Sequence, residues 1–251
     1  MKAVNFDKQY TDGIESIFSS IIRKKRVILV GPARTLVGTK MGSEIDGYDI
    51  VVRTNNFFGV SEEMHPDYGK RCDVLYLNPK TTRMYGLGKN GKAIEEIEKR
   101  RGTLYSPVPL SEWGEKGLSA MVKFENDGIY IRNNSSVALK KIPLSITTIS
   151  RYNQLGFKVR PLLGIAATAD LLRYRPASLH ITGFDFYTNG RTWIDGYPTV
   201  QVDGSHNYRE NARYLKSLLD ENIITVDDNL RLIIERLAVP RKKKSRGVSW
   251  R

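Results

Sequence analysis

A histidine and a glutamate one helical turn apart, His206 and Glu210 in SHNYRENARYL, open a segment whose apolar residues Tyr214, Leu215, Leu218 and Leu219 recur at helical spacing. Imidazole titrates near neutrality, so a histidine at a helix start can take the proton of a hydroxyl that must become a nucleophile. Glu210 can orient that imidazole, or it can simply be a favourable first-turn acid behind an exposed loop histidine. Residue types alone leave both readings open. A zinc pair fits the i, i+4 spacing, but the other two histidines, His65 and His180, supply no ligand cluster. The second chemical feature is the turn Gly31-Pro32-Ala33-Arg34, which follows the continuous apolar run RVILV. Small residues after a buried strand can bring backbone N–H groups up to a phosphate, and a following helix start favours negative charge. The turn is neither G-x-G-x-x-G nor a P-loop, so a plain strand-to-helix connection is an equal alternative. Cys72, the only cysteine, lies in CDVLYLN and reads as a buried structural thiol.

These residues need a scaffold, and the hydrophobic pattern supplies one. Residues 11–23 have helical spacing, and strands are expected at the RVILVG run, at 48–53 and at 72–78. A charged helix is expected over 92–101 and a short strand at GTLYS. SEWGEKGLSAMVKF reads as helical, and Asn133–Asn134 as a turn. Further on, GFKVRP (156–161) reads as a strand, 163–175 as an Ala-rich helix, 178–187 as a strand ending in a Gly turn and 188–205 as a long loop. The chain then closes with a helix over 206–221, a strand at ENIITV and a final helix capped by Asp227 or Asp228. Strands alternating with helices predict an α/β fold, a Rossmann-like, mostly parallel sheet with helices on both faces. One domain over 1–240 and a basic tail over 241–251 are expected. Ligands of such sheets bind at the carboxyl ends of the strands.

The longer stretch VILVGPARTLVGTKMGSEIDGYDIVVRTN, followed by GKRCDVLYLN, resembles the long sialylmotif of family-29 glycosyltransferases. The matching residues are Gly31, Leu36, Gly42, Glu44, Ile45, Asp46, Arg53, Asn55 and Gly69. RPLLGIAATADLLRYRPASLHITGFDFY is similar to the family's short sialylmotif at Pro161, Gly164 and Gly183–Phe184, and His206–Glu210 is similar to its His-x-x-x-Glu motif. The resemblance implies a GT-A-like fold variant and a metal-independent, inverting glycosyltransferase. Its donor would be a CMP-activated acidic sugar, sialic acid or a relative such as Kdo, and its acceptor a glycan hydroxyl. It further implies His206 as catalytic base with Glu210 beside it, and donor contacts at Gly31, Pro32, Ala33, Arg34, Asn55, Leu163, Gly164 and Gly183. Arg53 is expected to be structural or phosphate-facing, and the Glu44–Asp46 box architectural. No cofactor is implied beyond the donor itself, and no Asp-x-Asp metal box occurs.

The sequence also departs from the family pattern. Leu162 and Leu163 stand where the short motif has hydroxyls, Pro32 stands where the long motif has Asn, and the family's Cys pair is absent. No histidine lies between His180 and His206 to contact the donor phosphate, although Arg191, Trp193 and Tyr197 fall in that interval. Of a formal charge of +13, residues 241–251, RKKKSRGVSWR, carry +6 with six Lys/Arg and no acid, which leaves +7 on the remainder. Such a tail suits an anionic membrane surface or nucleic acid, and Trp250 favours an interface. The basic balance keeps open a glycosyltransferase acting on modified nucleic acid. The departures keep open a non-catalytic nucleotide- or glycan-binding relative. A single cysteine, no signal-peptide pattern and no long apolar run lead to the expectation of a cytoplasmic protein without a transmembrane segment.

Overall fold

The computed structural model describes residues 19–54, 61–77, 103–105, 119–123, 128–133, 157, 161–188 and 207–239. Along the chain these form β1 (Arg26–Val30), α1 (Gly42–Asp46), β2 (Ile50–Thr54), α2 (His65–Tyr68), β3 (Val74–Leu77), β4 (Thr103–Tyr105), β5 (Ser119–Lys123) and β6 (Gly128–Asn133). They continue as α3 (Leu163–Arg173), β7 (Ser178–Thr182), α4 (Tyr208–Asp220), β8 (Thr225–Val226) and α5 (Asp228–Ala238). The strands make one sheet in the order β4-β5-β6-β3-β2-β1-β7-β8. Pairing is parallel from β6 through to β8 and antiparallel at β4–β5 and β5–β6.

The expected mostly parallel α/β sheet is therefore present, with one antiparallel edge. The order reverses at β1, which lies between β2 and β7, and this reversal marks the binding crevice of doubly wound sheets. Strand β1 has to be apolar on both faces because both are covered. Val27 and Leu29 join one core, with Ile165, Leu171, Leu215, Leu230 and Ile234 from α3, α4 and α5. Ile28 and Val30 join the other, with Leu36, Ile45 and Tyr68. A continuous apolar run is the signature of such a strand.

Three expectations fail locally. Ser119–Lys123 is a strand, not part of a helix, because it pairs with β4 and β6 at the antiparallel edge, where tertiary pairing overrides a weak local pattern. Phe157 is buried but is not in a strand, and its ring meets Tyr214 of α4 at 5.1 Å, so its apolar character serves helix packing. Asn133 ends β6 and does not form a turn. Residues 92–101, Asn134 and the loop over 189–205 lie outside the described residues. Asp227 caps α5 by accepting from the Leu230 amide at 2.8 Å, as the cap pattern requires.

The segment from β1 to β3 is held by polar contacts that the long motif encodes. Arg53, at 0% exposure, donates through Nε to the Arg71 carbonyl at 2.6 Å and through Nη2 to the Tyr68 carbonyl at 2.8 Å. Asp46 accepts from the Lys70 and Arg71 amides at 3.0 and 2.9 Å. Gly42 lets α1 approach the His65–Pro66 backbone so closely that a Cβ would overlap it. Asp73 accepts from the Val51 amide at 2.7 Å and from Arg71 Nη2 at 2.8 Å. Cys72 is half-buried beside β3, with Sγ 3.6 Å from the Val74 carbonyl.

Two consequences are measurable. Arg53→Met leaves the buried Tyr68 carbonyl and the part-buried Arg71 carbonyl without these donors, so a loss of about 2–4 kcal/mol is expected, read as a lower urea midpoint at unchanged slope. His180 on β7 is pushed below the ordinary imidazole range by burial, which outweighs the opposing pull of Asp227 and Glu44. Between that lowered value and the unfolded value the unfolded chain binds more protons, so stability falls as the pH drops through and below about 6.5. His180→Asn is expected to flatten this part of the stability–pH curve, measured by denaturant titration.

Candidate active site

At the carboxyl end of the sheet, the reversal of strand order opens a cleft lined by Pro32, Ala33, Thr54, Leu162, Leu163, Gly164, Gly183, Phe184, Asp185, Phe186 and Tyr187. The turns after β1 and β7, the end of β2 and the start of α3 thus meet at one place. Five residues singled out in the sequence as donor contacts lie on its wall: Pro32, Ala33, Leu163, Gly164 and Gly183. Gly31 lies directly behind Pro32, and Arg34 is exposed at the start of a 3-10 turn, Arg34–Leu36. Asn55 and His206 lie outside the described residues.

The glycines are required by close approach. Gly31 and Gly183 lie back to back, and a Cβ on either would strike the other's backbone. Gly183 also has φ +71°, a conformation that glycine adopts without strain. The Phe184 ring fills the space that side chains at Gly31 and Gly164 would take. The Gly31 amide donates to the Thr182 carbonyl at 2.8 Å and the Ala33 amide to the Gly183 carbonyl at 2.9 Å. Since proline has no N–H, these bonds narrow what the turn after β1 can offer an anion.

The start of α3 differs. No side chain caps it, and no acidic residue occupies its first turn. An α-helix of this length presents first-turn N–H groups and the positive end of its dipole, here at Leu163 and Gly164 on the cleft wall. Leu162 and Leu163 make that wall apolar where the family pattern has hydroxyls.

Helix α4 begins against the same cleft. Its first residue, Tyr208, has its ring 5.9 Å from that of Tyr187, a residue of the cleft wall. Asn207 is the N-cap, its side chain accepting from the Glu210 amide at 3.3 Å, so Glu210 is a half-buried first-turn residue. His206 immediately precedes that cap in the chain.

Sequence reasoning did not single out Thr54, Asp185, Phe186 and Tyr187. Thr54 ends β2 one residue before Asn55, so position after the strand could have found it. Asp185 has a local signal as well: its Oδ1 accepts from the Tyr187 amide at 2.9 Å in an Asx-type turn.

Comparison with known proteins gives the following. Residues 19–123 match the model of glycosyltransferase family 29 (sialyltransferase). A search of curated proteins finds no significant sequence match. Among solved structures, a mammalian sialyltransferase in complex with Gal-β-1-3GalNAc-ortho-nitrophenol is 19% identical at a TM-score of 0.49, with 83% of this chain and 71% of that one covered. The Campylobacter jejuni sialyltransferase CstII in complex with the substrate analogue cytidine-5'-monophosphate is 15% identical at a TM-score of 0.44, with 83% of this chain and 87% of that one covered.

The packing around the glycines gives a test. Gly164→Ala and Gly31→Ala are each expected to destabilise by about 1–3 kcal/mol. Adding Phe184→Leu should recover part of the loss for Gly164→Ala, whose neighbour is only that ring. It should recover less for Gly31→Ala, which also strikes the Gly183 backbone. Thermal melts of the four variants decide. The long motif read in the sequence lies within residues 19–123, the segment that matches the model of glycosyltransferase family 29, the sialyltransferase family.

Proposed function

We propose that the protein is an inverting sialyltransferase-like glycosyltransferase, transferring a sugar from a CMP-activated acidic donor to a glycan hydroxyl. One observation carries the reading: in a chain with a family-29 segment, the uncapped start of α3 and the start of α4, the helix that follows His206, both border the crevice at the reversal of strand order. His206 takes the acceptor hydroxyl's proton as that oxygen bonds to the anomeric carbon. The bond from that carbon to the phosphate oxygen breaks, and CMP leaves with the electron pair. First-turn N–H groups at Leu163 and Gly164 stabilise the phosphate charge, as a fixed dipole does where water is excluded. Asn55 contacts the nucleotide, and the turn Gly31–Arg34 shapes the donor cleft. Glu210 steadies the helix start beside the base. Holding donor and acceptor in line supplies much of the remaining acceleration. The reaction as written uses no metal, and the basic residues of 241–251 serve an anionic surface.

The apolar wall at Leu162 and Leu163 favours a second reading, a relative that binds nucleotide without transferring sugar. A thermal-shift panel of CMP, UDP and GDP, followed by CMP release from CMP-sialic acid with and without lactose, separates the two. Selective stabilisation by CMP together with acceptor-dependent release is expected. Stabilisation without release would establish the second reading, and no response to any nucleotide would remove both.

A further inference from the structure

We infer that Asn211 is a positioning residue which fixes the start of α4, the helix that follows the candidate base in the chain, against the start of α3; the inference rests on the reading of His206 as that base. Asn211 is one turn into α4 and has 0% exposure. Its Oδ1 accepts from the Leu162 amide at 2.9 Å, and its Nδ2 donates to the Asn207 carbonyl at 2.6 Å. Leu162 is the N-cap of α3 and lies on the cleft wall, while Asn207 is the N-cap of α4 and directly follows His206. One planar amide, 49 residues along the sequence from Leu162, therefore ties two helix starts together.

The chemistry admits few replacements. A main-chain N–H can only donate and a carbonyl only accept, so the bridge needs an acceptor and a donor on one short side chain, and the same demand fixes which way the amide points. Asparagine is a poor residue inside a helix, and the neighbouring buried positions Ala212, Leu215 and Leu218 are apolar. A core contact alone would be met by another apolar residue. The Asn207 carbonyl already accepts from the Asn211 amide at 3.1 Å, so the side-chain bond adds a second constraint on the same N-cap. The Tyr187–Tyr208 ring contact approaches the helix start from the β7 side of the cleft. Between them these contacts hold the N-cap Asn207, the residue that follows His206 in the chain, against the start of α3.

A double-mutant cycle on the full-length chain tests the inference, with CMP release from CMP-sialic acid in the presence of lactose as the rate. Asn211→Asp keeps the acceptor for Leu162 and sets an anionic oxygen against the Asn207 carbonyl. With His206 present it should lower kcat by about 10-fold or more, because small misplacement of a reacting group is costly, while the Kd for CMP changes by less than about threefold. With His206→Ala already in place, the same change should cost less than about twofold, since no base remains to misplace. Asn211→Gln, which keeps both hydrogen-bonding functions, should recover more of the rate than Asn211→Asp at a comparable melting temperature. Equal losses in both backgrounds, no loss with His206 present, or a kcat loss matched by lost CMP affinity would each overturn the positioning role. Should Asn211→Asp be unfolded at the assay temperature, Asn211→Ser enters the same cycle with the same outcomes deciding. A wild-type rate in His206→Ala, or no turnover by the unaltered chain, removes the parent reading and this inference with it. A dead His206→Ala with multiplicative effects removes only the inference.

Discussion

The turns that leave β1 and β7 touch backbone to backbone, and the candidate site is built around that contact. Gly31 and Gly183 must both lack side chains for the two strands to remain paired to their ends, where the Gly31 amide still reaches the Thr182 carbonyl. Only then can the chain turn away on either side of the reversal in strand order. Phe184 then lies between Gly31 and Gly164, so α3 is seated by the same packing. The Thr182 hydroxyl and the Gly183 amide both donate to Asp227, at 2.8 and 3.3 Å, which brings the start of α5 to the same end of the sheet. Close packing tolerates no extra methyl group here without displacement of backbone, the least yielding neighbour available.

Around this contact the long motif becomes intelligible as architecture. Of its matching residues within the described region, Leu36 and Ile45 are core, Gly42 and Gly69 allow close approach, and Asp46 and Arg53 bind the loop at 68–71. Burial holds the Tyr68 phenol well above the usual tyrosine range, and its hydroxyl donates to the Ala33 carbonyl beside the cleft. A buried arginine paired with two carbonyls and an aspartate collecting main-chain amides cost solvation, which these hydrogen bonds offset. The motif thus fixes how β1, β2 and β3 and the short helices between them fit together. The chemistry is carried by what that frame exposes at its carboxyl edge.

What the frame exposes is less polar than a phosphate site usually is. Among the described residues, the cleft wall has one carboxylate, Asp185, and a majority of apolar or glycine positions. The turn after β1 has committed the amides of Gly31 and Ala33 to main-chain carbonyls. Electrostatic help for an anion is therefore concentrated at the start of α3, which has neither a capping side chain nor a first-turn acid. Asn211 acts at that same helix end from behind, by engaging the Leu162 amide. Among the described residues, the polar groups of the site lie close together.

The sequence by itself determined the alternation of strands and helices, the doubly covered β1 and a resemblance to one family. Each is written in local pattern: a continuous apolar run, glycines at fixed intervals, and Asp227 placed to cap α5. Its resemblance to the family singled out Gly31, Leu163, Gly164 and Gly183, and the last three lie on the cleft wall with Gly31 directly behind it. Only the tertiary structure decided that Ser119–Lys123 is a strand, since edge pairing with β4 and β6 outweighs local spacing. Only it disclosed that the glycines accommodate Phe184, and that Asn211 joins α3 to α4. Those contacts connect residues far apart in the chain, and neither periodicity nor spacing can express a distance between segments that meet only when the sheet is closed.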